Sequence, residues 1–224
     1  MEKFHCYKLK LLAYFILLFT CYTLTGQNGQ YLIRNFSPED YRAGIQNNSF
    51  AQNRSLSVFV ANNLGILEFD GTEWTVHRVN SGKKERSLFF DSVSNRLFFG
   101  SQGDFGYYEN DWKYHSLTEL LHEQFRDFDE VWDVFYLDGK VYFCTFRGIF
   151  QFDGNSLNPI TLPSGLRRSF LVNNQLFVQS NESHIYRLKG NSLELHQKLE
   201  KPSEIIKGIV ENDRELILFS QSGK

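Results

Sequence analysis

Val141-Tyr142-Phe143-Cys144-Thr145-Phe146-Arg147-Gly148-Ile149-Phe150-Gln151-Phe152-Asp153-Gly154 is the stretch that decides how this chain folds. Its two apolar runs, Val141 to Thr145 and Gly148 to Phe152, are too short for helices. They are rich in the branched and aromatic residues that suit a pleated surface. Asp153-Gly154 follows them and Asp138-Gly139 precedes them, and both read as turns whose positive φ angles suit Asp and Gly. Outward from there, Val131 to Tyr136 reads as a first strand and Asn158 to Thr161 as a short outer one. The unit is therefore a meander of four strands. Ile149 lies on one face of the third strand and Phe150 and Phe152 on the other. A strand buried between two neighbouring sheets has apolar residues on both faces.

The pattern recurs. Val58-Phe59-Val60-Ala61 precedes Gly65-Ile66-Leu67-Glu68-Phe69-Asp70-Gly71, and Leu97-Phe98-Phe99-Gly100 precedes Gly106-Tyr107-Tyr108. Gln175-Leu176-Phe177-Val178 precedes His184-Ile185-Tyr186-Arg187-Leu188-Lys189-Gly190. A period of about 40 residues built from four short strands predicts an all-β fold, a β-propeller of four-stranded blades, over a sandwich or an open solenoid. Blades are expected at about 44–80, 86–117, 131–162 and 167–198, with a half-blade at 205–224. About four and a half blades leave the ring incomplete and a sheet edge unpaired, which natural proteins avoid. The expectation is a piece of a longer protein that folds poorly alone.

Composition sets limits. Of 224 residues, 42% are hydrophobic and 22% charged, which excludes a disordered tail. The net charge is −2 with no basic block, so this segment has no phosphate-binding surface for nucleic acid. Lys3, Lys8 and Lys10 lead into an apolar run from Leu11 to Phe19. Thr23, Thr25 and Gly26 then lie before a cleavage point at Gln27. Residues 1–26 thus read as a secretory signal peptide, too short in its apolar part to span a bilayer. Lipidation at Cys21 is disfavoured by the bulky Phe19 before it. Cleavage leaves Cys144 alone in 27–224, so neither a disulfide nor a cysteine-based zinc site is expected.

Motifs for chemistry are sparse. Asp104-Phe105-Gly106 matches a kinase tripeptide by accident, since no catalytic loop accompanies it. Gly100, Gly103 and Gly106 lack phosphate-loop spacing. His115, His122 and Glu123 match no ligand pattern, and Asp127, Asp129 and Glu130 no calcium loop. Trp74, Trp112 and Trp132 are expected in core packing. No metal or other cofactor is predicted.

Ile33-Arg34-Asn35-Phe36-Ser37-Pro38-Glu39-Asp40-Tyr41-Arg42-Ala43-Gly44, Val60-Ala61-Asn62-Asn63-Leu64-Gly65-Ile66 and Phe99-Gly100-Ser101-Gln102-Gly103-Asp104-Phe105-Gly106 carry a further signal. Together they resemble the N-terminal propeller of bacterial two-component regulator propeller proteins. The resemblance implies an exported ligand-sensing region followed by a β-sandwich, a membrane helix and a cytoplasmic output. The output is a LuxR-type helix-turn-helix or a histidine kinase. It implies a periplasmic domain anchored in the inner membrane through the rest of the protein, which could pair as a homodimer. Asn48 departs from the Trp frequent at that position in the family. No catalytic residue lies in the family's propeller, so none is carried over. The alternatives are an exported lyase or glycosidase on a propeller scaffold, for which Asp104, Asp129 and Glu182 are loop acids without a paired pattern, or a protein-binding propeller.

In a meander propeller, loops joining second to third strands share one face with those joining each outer strand to the next blade. That face is expected to display Asn62, Asn63, Gln102, Asp104, Arg147, Arg167, Asn181 and Glu182. The mixture suits a small polar ligand, such as a saccharide.

Overall fold

The computed structural model describes residues 33–78, 83–201, 204–212 and 215–221, together with residue 15. But for that residue, the expected signal peptide 1–26 lies outside the described residues. Among the described residues no helix is long and apolar enough to cross a membrane.

The unit from Phe36 onward is all-β and built as a succession of antiparallel meanders. Sheet 1 comprises β1 (Asn47–Gln52), β2 (Val58–Asn62), β3 (Gly65–Phe69) and β4 (Trp74–His77). Sheet 2 comprises β5 (Glu85–Asp91), β6 (Arg96–Ser101), β7 (Asp104–Tyr108) and β8 (Tyr114–Ser116). Sheet 3 comprises β9 (Val131–Leu137), β10 (Lys140–Thr145), β11 (Gly148–Phe152) and β12 (Leu157–Thr161). Sheet 4 comprises β13 (Leu166–Val172), β14 (Gln175–Ser180), β15 (Ile185–Lys189) and β16 (Ser192–Gln197). Sheet 5 has two strands, β17 (Ile206–Asn212) and β18 (Glu215–Ser220). These are the four-stranded blades expected, and the ring is not closed. Asp138 and Gly139 take φ of 50° and 79°, the mirror-image turn their sequence predicts. Asn173 and Asn174 do the same work between β13 and β14 without glycine.

The core lies between the sheets. Because side chains alternate across a strand, each sheet feeds two interfaces. In sheet 3, Val141, Phe143, Phe150 and Phe152 pack with Phe98, Phe105 and Phe128 on the side of sheet 2. Tyr142, Cys144 and Ile149 pack with Leu176 and Val178 of sheet 4. Phe59, Ala61 and Ile66 meet Leu88, Leu97, Phe99 and Tyr108 between sheets 1 and 2. Phe177 and Ile185 meet Ile206 and Ile209 between sheets 4 and 5. Each fully buried aromatic or aliphatic side chain contributes about 1.5–3 kcal/mol, so the stack is held by these layers rather than by any one sheet.

The outward face of sheet 1 is covered from the chain's own N-terminal side. Ser37 caps a one-turn helix α1 (Pro38–Tyr41), with the Asp40 carboxylate accepting from the Ser37 N–H (2.7 Å) and hydroxyl (3.0 Å). Arg42, in a left-handed conformation, ends it. This turn seats Tyr41 against Val60 and Leu67, with Phe36 and Trp74 alongside. At the other end, Val210, Ile217 and Phe219 of sheet 5 are exposed.

Candidate functional site

The first strands of successive sheets lie side by side, as in the inner wall of a propeller. Side chains cross between them. The Ser49 hydroxyl accepts from the Leu88 N–H (3.2 Å), Ser87 donates to the Val131 carbonyl (2.9 Å), and Ser169 donates to the Asp133 carboxylate (2.5 Å). Each first strand also carries a bulge at its second residue. The register skips Asn48, Arg86, Trp132, Arg167 and Lys207. A bulge leaves the extra residue unpaired and re-aims its side chain. All five bulges fall at the same end of their strands, the end that carries the expected face.

Loops of neighbouring blades are laced together there. Arg86 donates through Nε and Nη2 to Glu130 Oε1 (3.0 and 2.6 Å) and through Nη1 to Asn63 Oδ1 (3.1 Å). Its guanidinium lies 5.1 Å from the centre of the Trp132 ring. One side chain thereby ties sheets 1, 2 and 3. Gln102 pairs with Glu130 as an isolated bridge, and the Gly103 N–H donates to the Asp129 carbonyl (2.6 Å). Leu166 donates to the Phe146 carbonyl (2.7 Å) and Asn181 to the Gly165 carbonyl (3.2 Å). Gly165 has φ of +71°, and a Cβ there would stand 2.9 Å from the Phe146 carbonyl oxygen, so this crossing needs glycine.

The sequence-nominated residues divide into two groups. Asn62 is 0% exposed and is not displayed. Its amide donates to the Gly44 carbonyl (2.6 Å) and Asn47 Oδ1 (2.7 Å), and its Oδ1 accepts from the Gly44 and Leu64 N–H groups (both 3.0 Å). It folds the chain entering sheet 1. Asp104 is buried as well, accepting from Tyr114, Ser116 (2.8 Å), Thr118 (2.7 Å) and Lys83 (3.2 Å). Burial raises its carboxyl, but those hydrogen bonds and the Lys83 charge outweigh it and hold the group below its ordinary value. Asp104 thus organises the loop and is no free acid.

Asn63, Gln102, Arg147, Arg167, Asn181 and Glu182 reach the surface to differing degrees. Arg147 is 65% exposed and pairs with Asp127 at 2.9 Å, a contact worth little in solvent. Arg167 is a bulge residue, half-buried, beside Trp132 and Phe146. Trp132 corrects the expectation of core packing. It is 36% exposed, with its ring 5.6 Å from the exposed Phe146. Asn48, Arg86, Trp132 and Lys207 carry no sign of a ligand-contact role in the sequence. Only the strand pairing reveals the bulges, although each stands second in its repeat's first strand. Among the described residues no His, Cys, Asp and Glu cluster could hold a metal ion.

Beneath this face, between sheets 1 and 2, lies Glu85. It is fully buried, and neither carboxylate oxygen has a hydrogen-bond partner among the described residues. Burial, with the Asp104 charge adding to it and Lys83 opposing, pushes its carboxyl up to about 8. The Tyr108 hydroxyl, also without a hydrogen-bond partner among the described residues, is raised by burial and by the Glu85 charge.

At the opposite end of the same interface Trp112 has φ of 59°. The matching turns use Gly71, Gly154 and Gly190 for their left-handed residue. An L side chain there costs about 1–2 kcal/mol. The ring offsets this by stacking on His77 of sheet 1 (3.4 Å, 16°) and meeting Phe59 edge-on at 5.9 Å.

No family model matches the sequence, and no curated protein is similar to it at the sequence level. Solved structures are similar in fold. The extracellular domain assigned to the hybrid two-component system BT3049 from B. thetaiotaomicron superposes with a TM-score of 0.61 at 13% identity, over 87% of this chain and 29% of that one. The extracellular domain assigned to the one-component system BT4673 from the same organism gives 0.56 at 12% identity, over 80% and 26%. The WD40 β-propeller domain of Doa1 gives 0.57 at 16% identity, over 79% and 62%. The chain thus spans less than two thirds of the length of each. At these identities the likeness establishes the β-propeller fold.

Proposed function

We propose that this chain is the exported sensor propeller of a bacterial signal-transduction protein of the two-component regulator propeller type. A small polar ligand such as a saccharide is held at the bulged rim. The observation that carries this reading is the row of bulges, which brings Asn48, Arg86, Trp132, Arg167 and Lys207 to one end of five adjacent strands. An exposed indole beside guanidinium groups offers a stacking surface together with hydrogen-bond donors. Arg86 links three blades, so a ligand that favours one setting of those blades shifts their population. The fold likeness to extracellular domains of sensor systems supports the export and sensing parts of this reading. Output falls to other segments, a β-sandwich, a membrane helix and a helix-turn-helix or kinase, and the propeller itself is non-catalytic. Of the loop acids offered for the lyase or glycosidase alternative, Asp104 is consumed within the fold, while Asp129 and Glu182 stand exposed on separate loops.

The test is a thermal-shift screen of the purified chain against neutral, acidic and amino saccharides. A ligand-dependent rise lost in both Trp132→Ala and Arg167→Ala is expected. A panel without any shift, or a shift that survives both substitutions, refutes the rim as the binding site.

A further inference from the structure

The crevice between sheets 1 and 2, on the face opposite the bulged rim, has chemistry of its own. A cavity of about 230 Å³ opens there between the β1–β2 hairpin, the β5–β6 hairpin and the β7–β8 turn. Its wall includes Phe90, Tyr108 and Trp112 on the sheet 2 side and Phe59 and Glu68 on the sheet 1 side, and Glu109, which also lines it, is paired with Arg96 and His115. Phe59 and Glu68 are direct cross-strand partners and share a face, and Phe59 belongs to the core layer that meets sheet 2. The Glu68 carboxylate therefore points into the crevice. The four rings are packed on one another, with Phe59 6.1 Å from Phe90 and Trp112 5.6 Å from Tyr108.

The polar groups narrow the choice of ligand. Glu68 Oε2 is 2.8 Å from His77 Nε2, and His77 stacks on Trp112, so the carboxylate, imidazole and indole form one fixed unit. Burial lowers the His77 imidazole, with Glu68 opposing, so near neutral pH the ring is uncharged. Among the described residues no other cation lies within ion-pair distance of Glu68. The amides at the cavity mouth are partly engaged. Asn53 Oδ1 accepts from the Ser57 N–H (2.9 Å), and Asn95 donates to Asn110 Oδ1 (2.5 Å). A neutral saccharide needs several converging donors and acceptors, and two of the amide oxygens here are already committed to the fold. A carboxylate among aromatic faces, whose quadrupoles are negative, favours positive charge. The volume is below the roughly 300–1,000 Å³ of drug-sized sites, so the occupant is the size of a head group. Arg54 also lines the cavity mouth, on the exposed β1–β2 hairpin where solvent screens its charge.

We propose that this crevice binds a small alkylated ammonium ion, with Glu68 as counter-ion and Phe59, Phe90, Tyr108 and Trp112 as its aromatic enclosure. The site is independent of the rim and of the sensor reading.

The experiment is isothermal titration of the purified full chain with choline chloride and with its uncharged isostere 3,3-dimethylbutan-1-ol. Choline is expected to bind at millimolar concentrations or below, with the alcohol at least about tenfold weaker. Glu68→Gln keeps shape and hydrogen bonding, and it should bring choline down to the level of the alcohol. Phe90→Leu keeps apolar volume, and it should weaken choline several-fold while leaving the alcohol unchanged. Equal binding of the two compounds, binding of glucose in their place, choline binding untouched by Glu68→Gln, or no choline binding at millimolar concentrations by the folded chain each overturns the proposal.

Discussion

Glu85→Gln should make the protein more stable at pH 8 and remove most of the stability it loses between pH 6.5 and 8. Glu85 is buried with no hydrogen-bond partner among the described residues, and its carboxyl is raised to about 8. In the unfolded chain a glutamate ionises near pH 4.3. Between those values the folded state holds a proton that the unfolded state has released. Stability then falls with rising pH by about 1.4 kcal/mol per pH unit and levels off above the folded value. His77 acts in the opposite direction. Its imidazole is lowered, so the unfolded state binds more protons below about pH 6.5, and stability rises with pH there. Asp104 is ionised in both states across this range, because its carboxyl is lowered. The window for Glu85 is therefore pH 6.5 to 8, where its own share of the loss is about 2 kcal/mol; Asp133, whose carboxyl burial also raises, adds a loss of the same sign that the Gln variant retains. For a domain of this size that is a fall of about 4–8 °C in Tm. Trp74, Trp112 and Trp132 all lie in the first three sheets, so intrinsic fluorescence during heating reports the region around Glu85. A wild-type Tm that is flat from pH 6.5 to 8, or a Gln variant with the same slope as wild type, would refute the argument.

Three further outcomes are expected. Asn62→Ala strips four hydrogen bonds from a buried turn and should cost about 2–4 kcal/mol in urea unfolding, and a loss under 1 kcal/mol would remove its structural role. Arg147→Ala breaks only an exposed ion pair and should change stability by less than about 0.5 kcal/mol, whereas Arg86→Ala, which strands Glu130, should cost about 1–3 kcal/mol; equal effects in the same assay would contradict this contrast. Amides of β17 and β18 should exchange with deuterium faster than those of β10 and β11, because sheet 5 has two strands and an exposed apolar face; matched protection would show that it is as stable as a complete sheet.

The strands and their grouping are legible in the chain's local chemistry. Turn chemistry and apolar runs are local, and residues such as Asp138-Gly139 and Gly148–Phe152 declare their conformation within a few positions. The period of about 40 then follows from repetition, and with it the meander and the face shared by alternate loops. That chemistry could not tell a displayed polar residue from a buried one. Asn62 and Asn63 are adjacent and chemically identical, yet the first is sealed under the loop while the second meets Arg86. Burial depends on what another blade places above the residue, which is a contact between distant segments. The bulges lay beyond the sequence for a related reason, since a bulge is a mismatch between two strands and cannot be seen in one. Tertiary structure alone moved Trp132 out of the core, turned Asp104 inward, buried Glu85 and stacked Trp112 on His77. Each of these depends on how one blade settles against the next, and the pleat repeats every two residues, so a single skipped residue re-aims the side chain.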